Sequence, residues 1–331
     1  MKIAVFSARA YDREFMNAAN TIAGHQLCFF DAPLERETLV LAAGHEAVCI
    51  FVNDRADAGI LETLVSGGTK LLALRCTGFN NIDLKAAARL GLKVVRVVAY
   101  SPYSVAEHAV ALLQTINRKI HRAYNRTRDS NFELDGLMGF DLHGKTVAIV
   151  GTGRIGLVFA KIMRGFGCEV LGHDKFHSPE FEALGARYAD LVEIGAKADI
   201  ISLHCPLTPE THHIVNAEML SRLKRGTLLI NTSRGGLVDT EAIVEALKSG
   251  QLGGLALDVY EQEADLFYRD LSSTVVSDDV FERLLSFPNV IVTGHQAFFT
   301  REAITTICQT TINSVTEFAT GQVLSNEIKS V

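Results

Sequence analysis

The run Lys145-Thr-Val-Ala-Ile-Val150, followed directly by Gly151-Thr-Gly-Arg-Ile-Gly156, is the stretch on which the fold turns. An apolar segment of strand length enters a loop with glycines at the three places where a dinucleotide-binding turn needs them. Gly151 permits the tight turn, Gly153 lets backbone approach a pyrophosphate, and Gly156 lets the next helix pack close to the strand. The diphosphate then sits at a helix N-terminus, where unpaired N–H groups and the helix dipole favour an anion. Thr152, Arg154 and Ile155 fill the same loop and are assigned with the glycines to the cofactor. Val170-Leu-Gly-His-Asp174 follows at about the 20-residue spacing expected of a second strand that ends in an acid. Asp174 is expected to accept from the adenosine ribose hydroxyls and to repel a 2′-phosphate, which selects NAD over NADP.

This fingerprint stands near the middle of the chain, so the residues ahead of it must build something else. A length of 331 residues suits two domains on a prior of about 100–200 residues each, and two domains imply a cleft. With 48% hydrophobic and 21% charged residues the composition is that of a globular protein with ample core. Lys+Arg 32 against Asp+Glu 38, with no long run of either sign, argues against a nucleic-acid or anionic-membrane partner. The six cysteines are scattered without a CxxC pair and read as small buried hydrophobes of a reducing compartment. The N-terminal Met1-Lys-Ile-Ala-Val-Phe6 is too short for a signal segment and no apolar stretch reaches about 18 residues, so a cytoplasmic enzyme is expected.

Ahead of the fingerprint, apolar runs at 2–6, 47–52, 70–74 and 93–98 read as buried parallel strands, with helices over 12–24 and 60–67 between them. Ser104-Val-Ala-Glu107 has the form of a capping box and opens a helix expected to reach about residue 124, with 125–131 as a polar loop. From 145 onward six strand candidates appear, at 146–150, 168–172, 199–204, 227–231, 254–259 and 290–293. A last helix follows His295 and is expected to return to the first domain. The resulting fold class is α/β: two doubly wound parallel-sheet domains with a cleft between them. A flavodoxin-like substrate domain is formed by 1–100 and 299–331, and a Rossmann NAD-binding domain by 101–298.

Three of the downstream strands end in polar groups, where open α/β sheets place their ligands. They are Asn231-Thr-Ser-Arg-Gly-Gly-Leu-Val-Asp239, Leu257-Asp-Val-Tyr-Glu-Gln-Glu263 and Val292-Thr-Gly-His-Gln-Ala297. Hydride transfer to a carbonyl carbon needs a proton for the oxygen, a cation to orient a substrate carboxylate, and a base for the reverse direction. Arg234, with its rigid bidentate fork, together with Glu263 and His295, supplies those groups.

These motifs, with His204-Cys-Pro-Leu-Thr208, resemble the D-isomer-specific 2-hydroxyacid dehydrogenase family essentially end to end. Tyr100-Ser-Pro-Tyr-Ser-Val-Ala-Glu-His108, Val259-Tyr-Glu-Gln-Glu263 and Gly294-His-Gln-Ala-Phe-Phe-Thr300 resemble its fermentative D-lactate dehydrogenase branch. The resemblance implies that Arg234 orients the pyruvate carboxylate and carbonyl, that His295 donates the proton, and that Glu263 stabilises the protonated imidazole. It implies substrate contacts for Arg9, Gly78, Tyr100 and Phe299, and places His204, Cys205, Pro206, Thr211, Thr232 and Asp258 along the NAD groove. The product would be D-lactate and the assembly a homo-oligomer, dimer or tetramer, joined through the nucleotide domain. Preference for bulkier 2-oxoacids is an alternative, as is an NAD-sensing role like that of the family's corepressor relatives. No metal is expected: His173, His177, His204 and the pair His212-His213 fall in no HExxH or compact ligand spacing.

Overall fold

Apolar runs too short for helices become parallel strands in both halves of the chain. In the computed structural model, which describes residues 1–329, the chain divides into two units. One is Met1–Ser101 together with the chain from Phe299 onward; the other is Pro102–Phe298.

The first unit is built on β1 (Lys2–Val5), β2 (Gln26–Phe29), β3 (Ala47–Ile50), β4 (Leu71–Leu74) and β5 (Lys93–Arg96), all parallel, in the order β2-β1-β3-β4-β5. This is the flavodoxin-like winding. β3 and β4 are buried at every position, as strands covered by helices on both faces must be. β2 is an edge strand whose residues stay partly exposed, and its apolar run is only Leu27 to Phe30, too brief beside His25 and Gln26 to stand out as a strand. The helix Arg301–Ala319 packs on Ala10–Asn20 and on β4 and so belongs to this unit.

A buried ion pair fixes the ends of β1 and β4. Arg75, 1% exposed, donates from Nε to Asp12 Oδ1 at 3.0 Å and from Nη2 to the Ser7 carbonyl at 2.8 Å. Asp12 Oδ2 in turn accepts the Arg9 amide at 2.8 Å, which sets Arg9 as the N-cap of the first helix. The loop that carries Arg9 and the strand that leads to Cys76 and Gly78 are thereby locked together. Removing one partner of such a pair costs about 3–5 kcal/mol, since the survivor is a buried unpaired charge.

The second unit carries β6 (Thr146–Val150), β7 (Glu169–His173), β8 (Arg187–Tyr188), β9 (Ile200–Leu203), β10 (Thr227–Asn231), β11 (Leu252–Leu257) and β12 (Val290–Val292). Their order, β12-β11-β10-β9-β6-β7-β8, reverses direction between β6 and β9, which makes the ends of those two strands the switch point where ligands bind. Seven strands stand where six were expected; β8 is a two-residue edge strand with no periodicity to read.

The helix that opens this unit also departs from expectation. It starts at Pro102, a residue suited to a first helical turn because it has no N–H to satisfy, and Ser104 is buried inside it instead of capping it. It stops at Arg118, because Lys119 takes a left-handed conformation (φ 51°). Asn117 explains the stop: its side-chain amide pairs with both the N–H and the carbonyl of Phe140, pinning the helix end to that segment. A second helix, Ile120–Arg128, then covers part of the stretch expected to be loop. No helix of the described residues is long and apolar enough to cross a membrane.

Candidate active site

The glycine loop fits a dinucleotide by steric exclusion. A Cβ on Gly156 would come within 2.0 Å of the Gly151 carbonyl oxygen, and one on Gly151 within 2.5 Å of the Cys205 amide nitrogen, so both positions must be glycine. Around Gly153 there is open space, as a site for a pyrophosphate requires. The helix Arg154–Gly165 that follows has no side-chain cap, which leaves its first N–H groups for an anion. Thr152 is buried, Arg154 exposed and Ile155 half-buried.

Asp174, at the end of β7, accepts from the Thr152 amide at 2.7 Å and from the Phe176 amide at 3.0 Å. The carboxylate is thus held beside the glycine loop, with lone pairs left for ribose hydroxyls. His204, just past the end of β9, is half-buried, and desolvation of the ring lowers its pKa to about 3, so the ring is neutral. Its Nε2 pairs with Ser202 Oγ at 2.9 Å, while Nδ1 has no partner. The buried Thr232 Oγ1 has none either. Two orphaned polar atoms beyond the ends of β9 and β10 are what a groove built for a polar ligand presents. Burial also raises the Cys205 thiol to about 11, which keeps it protonated and inert. Thr211 closes its own turn, donating to the Pro206 carbonyl at 2.7 Å and accepting the Thr208 amide at 2.8 Å.

Registry explains why Arg234, Glu263 and His295 share one edge of the sheet. Asn231 of β10 lies beside Leu257 of β11, which lies beside Val292 of β12, and each candidate follows within a few residues of those strand ends. Arg234 has extended backbone (φ −145°) and is set by its neighbours: Asn231 bridges the Ser233 amide and the Arg234 carbonyl, and Ser233 Oγ donates to the Leu203 carbonyl. Gly235 is forced, because a Cβ there would lie 2.1 Å from the Tyr260 carbonyl carbon.

His295 Nδ1 lies 2.8 Å from Glu263 Oε1, and Glu263 Oε2 accepts the Tyr260 amide at 2.9 Å. Against an ionised carboxylate, which only accepts, Nδ1 is the protonated nitrogen and Nε2 is the one turned away from Glu263. The His295 backbone is left-handed (φ 53°), a strained setting for a residue with a side chain. It is held there by the amide donating to the Asp258 and Thr293 carbonyls, and by the Tyr268 hydroxyl on the His295 carbonyl at 3.0 Å.

Asp258, just past the end of β11, is engaged from within its own unit. Its fully buried carboxylate faces the loop that carries His295: it accepts the Gln296 amide at 2.9 Å, the Ala297 amide at 2.8 Å and the Thr293 hydroxyl, with His108 Nε2 3.4 Å away. These bonds tie the Asp258 side chain to the loop that carries His295. Thr293, His108 and Tyr268, which sequence gives no reason to single out, meet Asp258 or the His295 loop here. His108 belongs to the Tyr100–His108 segment, whose spacing does not say which strand end the ring meets.

In the first unit, Arg9 is exposed after β1 and Tyr100 is half-buried beyond β5. Cys76 Sγ donates to the Gly78 carbonyl at 3.2 Å, and Arg96 Nη1 donates to the Thr77 carbonyl, which stiffens the turn that carries Gly78. Phe299, half exposed, packs edge-on against Tyr11 with ring centroids 4.7 Å apart.

Comparison with known proteins agrees with this architecture. Residues 110–297 match the NAD binding domain of the D-isomer specific 2-hydroxyacid dehydrogenases. The chain is 54% identical over 320 residues to 2-hydroxyacid dehydrogenase homolog 1 of Schizosaccharomyces pombe, covering 96% of each protein. It is 50% identical over 328 residues to the D-lactate dehydrogenase of Escherichia coli, covering 99% of this chain and 100% of that one. The apo structure of the Escherichia coli D-lactate dehydrogenase superposes with a TM-score of 0.92 at 48% identity, covering 99% and 100% of the two chains. The glycine loop, the buried groove and full-length relatives lead to one assignment: the chain belongs to the D-isomer-specific 2-hydroxyacid dehydrogenase family and is an NAD-dependent oxidoreductase.

Proposed function

We propose that this protein is an NAD-dependent D-lactate dehydrogenase that interconverts pyruvate and D-lactate. The observation that carries the reading is the Glu263–His295 pair at 2.8 Å, on the strand ends next to that of Arg234, in a chain whose relatives include a D-lactate dehydrogenase. Bound NADH supplies the hydride for the carbonyl carbon. Arg234 binds the carboxylate and polarises the carbonyl, its planar fork matching two oxygens. His295 delivers its Nε2 proton to the carbonyl oxygen, and Glu263 holds the Nδ1 proton before and after that transfer, so the ring keeps one orientation in both directions. Arg9, Gly78, Tyr100 and Phe299 complete substrate recognition on this reading, and Gly151, Gly153, Gly156, Asp174, His204 and Thr232 hold the cofactor.

The assembly proposed is a cytoplasmic homo-oligomer, a dimer or tetramer. Supporting it, Ile120, Tyr124, Phe132, Leu134 and Met138 of the second unit are each more than half exposed and lie on or just beyond the helix Ile120–Arg128, an apolar content that favours a second copy over solvent. Oxidation of NADH by pyruvate with chiral analysis of the lactate tests the activity, and sedimentation of wild type against Met138→Asp tests the assembly.

A further inference from the structure

We propose that His212, His213 and Glu261 form a binding site for one divalent cation of the Zn²⁺ class, outside the dehydrogenase chemistry. The sequence offered only an isolated His-His pair. Folding adds a carboxylate from a segment 48 positions on, and one ligand atom from each of the three residues then lies within 4.8 Å of the others. Two imidazoles and a carboxylate, with the remaining position open to water, are the donor set of a three-ligand zinc site, and such nitrogen-rich sets prefer Zn²⁺ over Mg²⁺ or Ca²⁺.

Three features show that the cluster is built, not casual. The His213 backbone is left-handed (φ 51°), and its amide is tied to the Gly236 carbonyl at 2.9 Å, a strained setting that aims the ring. His213 Nε2 already meets Glu261 Oε1 at 2.6 Å. The other oxygen, Oε2, accepts from the Thr240 hydroxyl at 2.9 Å, the kind of outer partner that orients a metal-binding carboxylate. The segments on both sides are fixed as well. Val215 and Val238 pair as a bridge, and Tyr260, next to Glu261, is buried with its hydroxyl on Asp278 at 2.8 Å.

In the metal-free state His213 and Glu261 share a hydrogen bond. A tetrahedral ion with bonds of about 2.0–2.1 Å would hold those atoms about 3.3 Å apart, so it replaces the hydrogen bond with a small outward shift. His212 stacks on His213 at 3.9 Å between centroids, and its exposed ring can swing to bring its nitrogen onto the ion. Binding releases protons from any charged imidazole, so affinity should rise with pH.

The site touches the catalytic elements without containing them. Glu261 lies two residues before Glu263, and His213 is bonded to the loop that begins at Arg234, so occupancy would tie two catalytic segments together. The proposal stands whether or not the substrate is pyruvate.

The test uses the full chain, without an affinity tag and stripped with EDTA. Zn²⁺ is titrated calorimetrically, and Co²⁺ is followed by visible absorption, whose intensity reports tetrahedral coordination. The proposal expects one ion per chain, an intense tetrahedral Co²⁺ spectrum, and binding weakened at least tenfold by Glu261→Gln and by His212→Ala. His143→Ala, which removes an exposed histidine elsewhere in the same unit, should leave binding unchanged. Far-UV circular dichroism establishes that each variant is folded. Equal binding by wild type, Glu261→Gln and His212→Ala, or only octahedral Co²⁺, would overturn the site.

Discussion

Replacing Glu263 with glutamine tests the assignment of roles within the site most sharply. The carboxylate serves two donors at once, the His295 ring at 2.8 Å and the Tyr260 amide at 2.9 Å. A glutamine can satisfy only one of them, because its NH2 group must face the other donor. If the amide oxygen turns to Tyr260, the NH2 group meets Nδ1 and forces the proton off it. If the oxygen turns to His295, a half-buried backbone N–H is left facing a donor. Either outcome forfeits a hydrogen bond worth about 1.5–3 kcal/mol when one partner is charged. The lost charge adds to this, since two unit charges at 4 Å interact by about 4 kcal/mol at an effective dielectric of 20. The side chains are 18% and 26% exposed, so solvent screening reduces that figure to a fraction. A total of about 2–3 kcal/mol corresponds to a fall of about 30- to 150-fold in kcat for pyruvate reduction. NADH affinity should be unchanged, because none of the proposed cofactor contacts includes Glu263. Steady-state kinetics with a fluorescence titration of NADH reads both quantities. A variant within about threefold of wild-type kcat would refute the reasoning and reduce Glu263 to a packing residue.

Other expectations follow from single contacts. Asp258→Asn should lower both stability and turnover, since its NH2 group must face a backbone N–H of the His295 loop at a cost of about 1–3 kcal/mol; urea unfolding and kcat check this, and an unaltered midpoint would contradict it. Asp174→Ala should cut the preference for NADH over NADPH by tenfold or more, measured as a ratio of kcat/KM; an unchanged ratio would remove Asp174 from cofactor choice. For His204 the folded pKa of about 3 lies below the unfolded value of about 6.5, so between them the unfolded state binds the extra proton. Stability from this group is present above pH 6.5 and falls by about 1.4 kcal/mol per unit as the pH drops towards 3. His204→Gln should flatten that slope in urea titrations between pH 6 and 4, and a parallel slope would mean that other groups carry it.

How much of this was legible beforehand depended on whether one residue's neighbours in sequence were also its neighbours in space. The glycine loop was, because strand, turn and helix are contiguous and each glycine answers a local steric demand. Both windings were legible where strands are buried on both faces, as at Ala47–Ile50 and Ile200–Leu203, and not at the edges, where Gln26–Phe29 is short and partly exposed and Arg187–Tyr188 is only two residues long. Ser104 misled because proline two residues earlier opened the helix first. Lys119 could not be read as a break, because its cause is a pairing of Asn117 with Phe140, 23 positions away. In the site, Arg234, Glu263 and His295 were visible as polar groups after strands. That Asp258 bonds the His295 loop follows from the parallel registry of β11 and β12, and that His213 meets Glu261 follows from loop contacts at Gly236 and Val238; neither leaves a mark in local spacing.

The most direct test of the account is a series of 2-oxoacids with NADH, from pyruvate to 2-oxoisocaproate and phenylpyruvate, with chiral analysis of each product. The account predicts that pyruvate has the highest kcat/KM and that the lactate formed is the D isomer. Formation of L-lactate, no turnover of any 2-oxoacid, or a bulkier substrate ahead of pyruvate by more than about tenfold, a difference of about 1.4 kcal/mol, would contradict it.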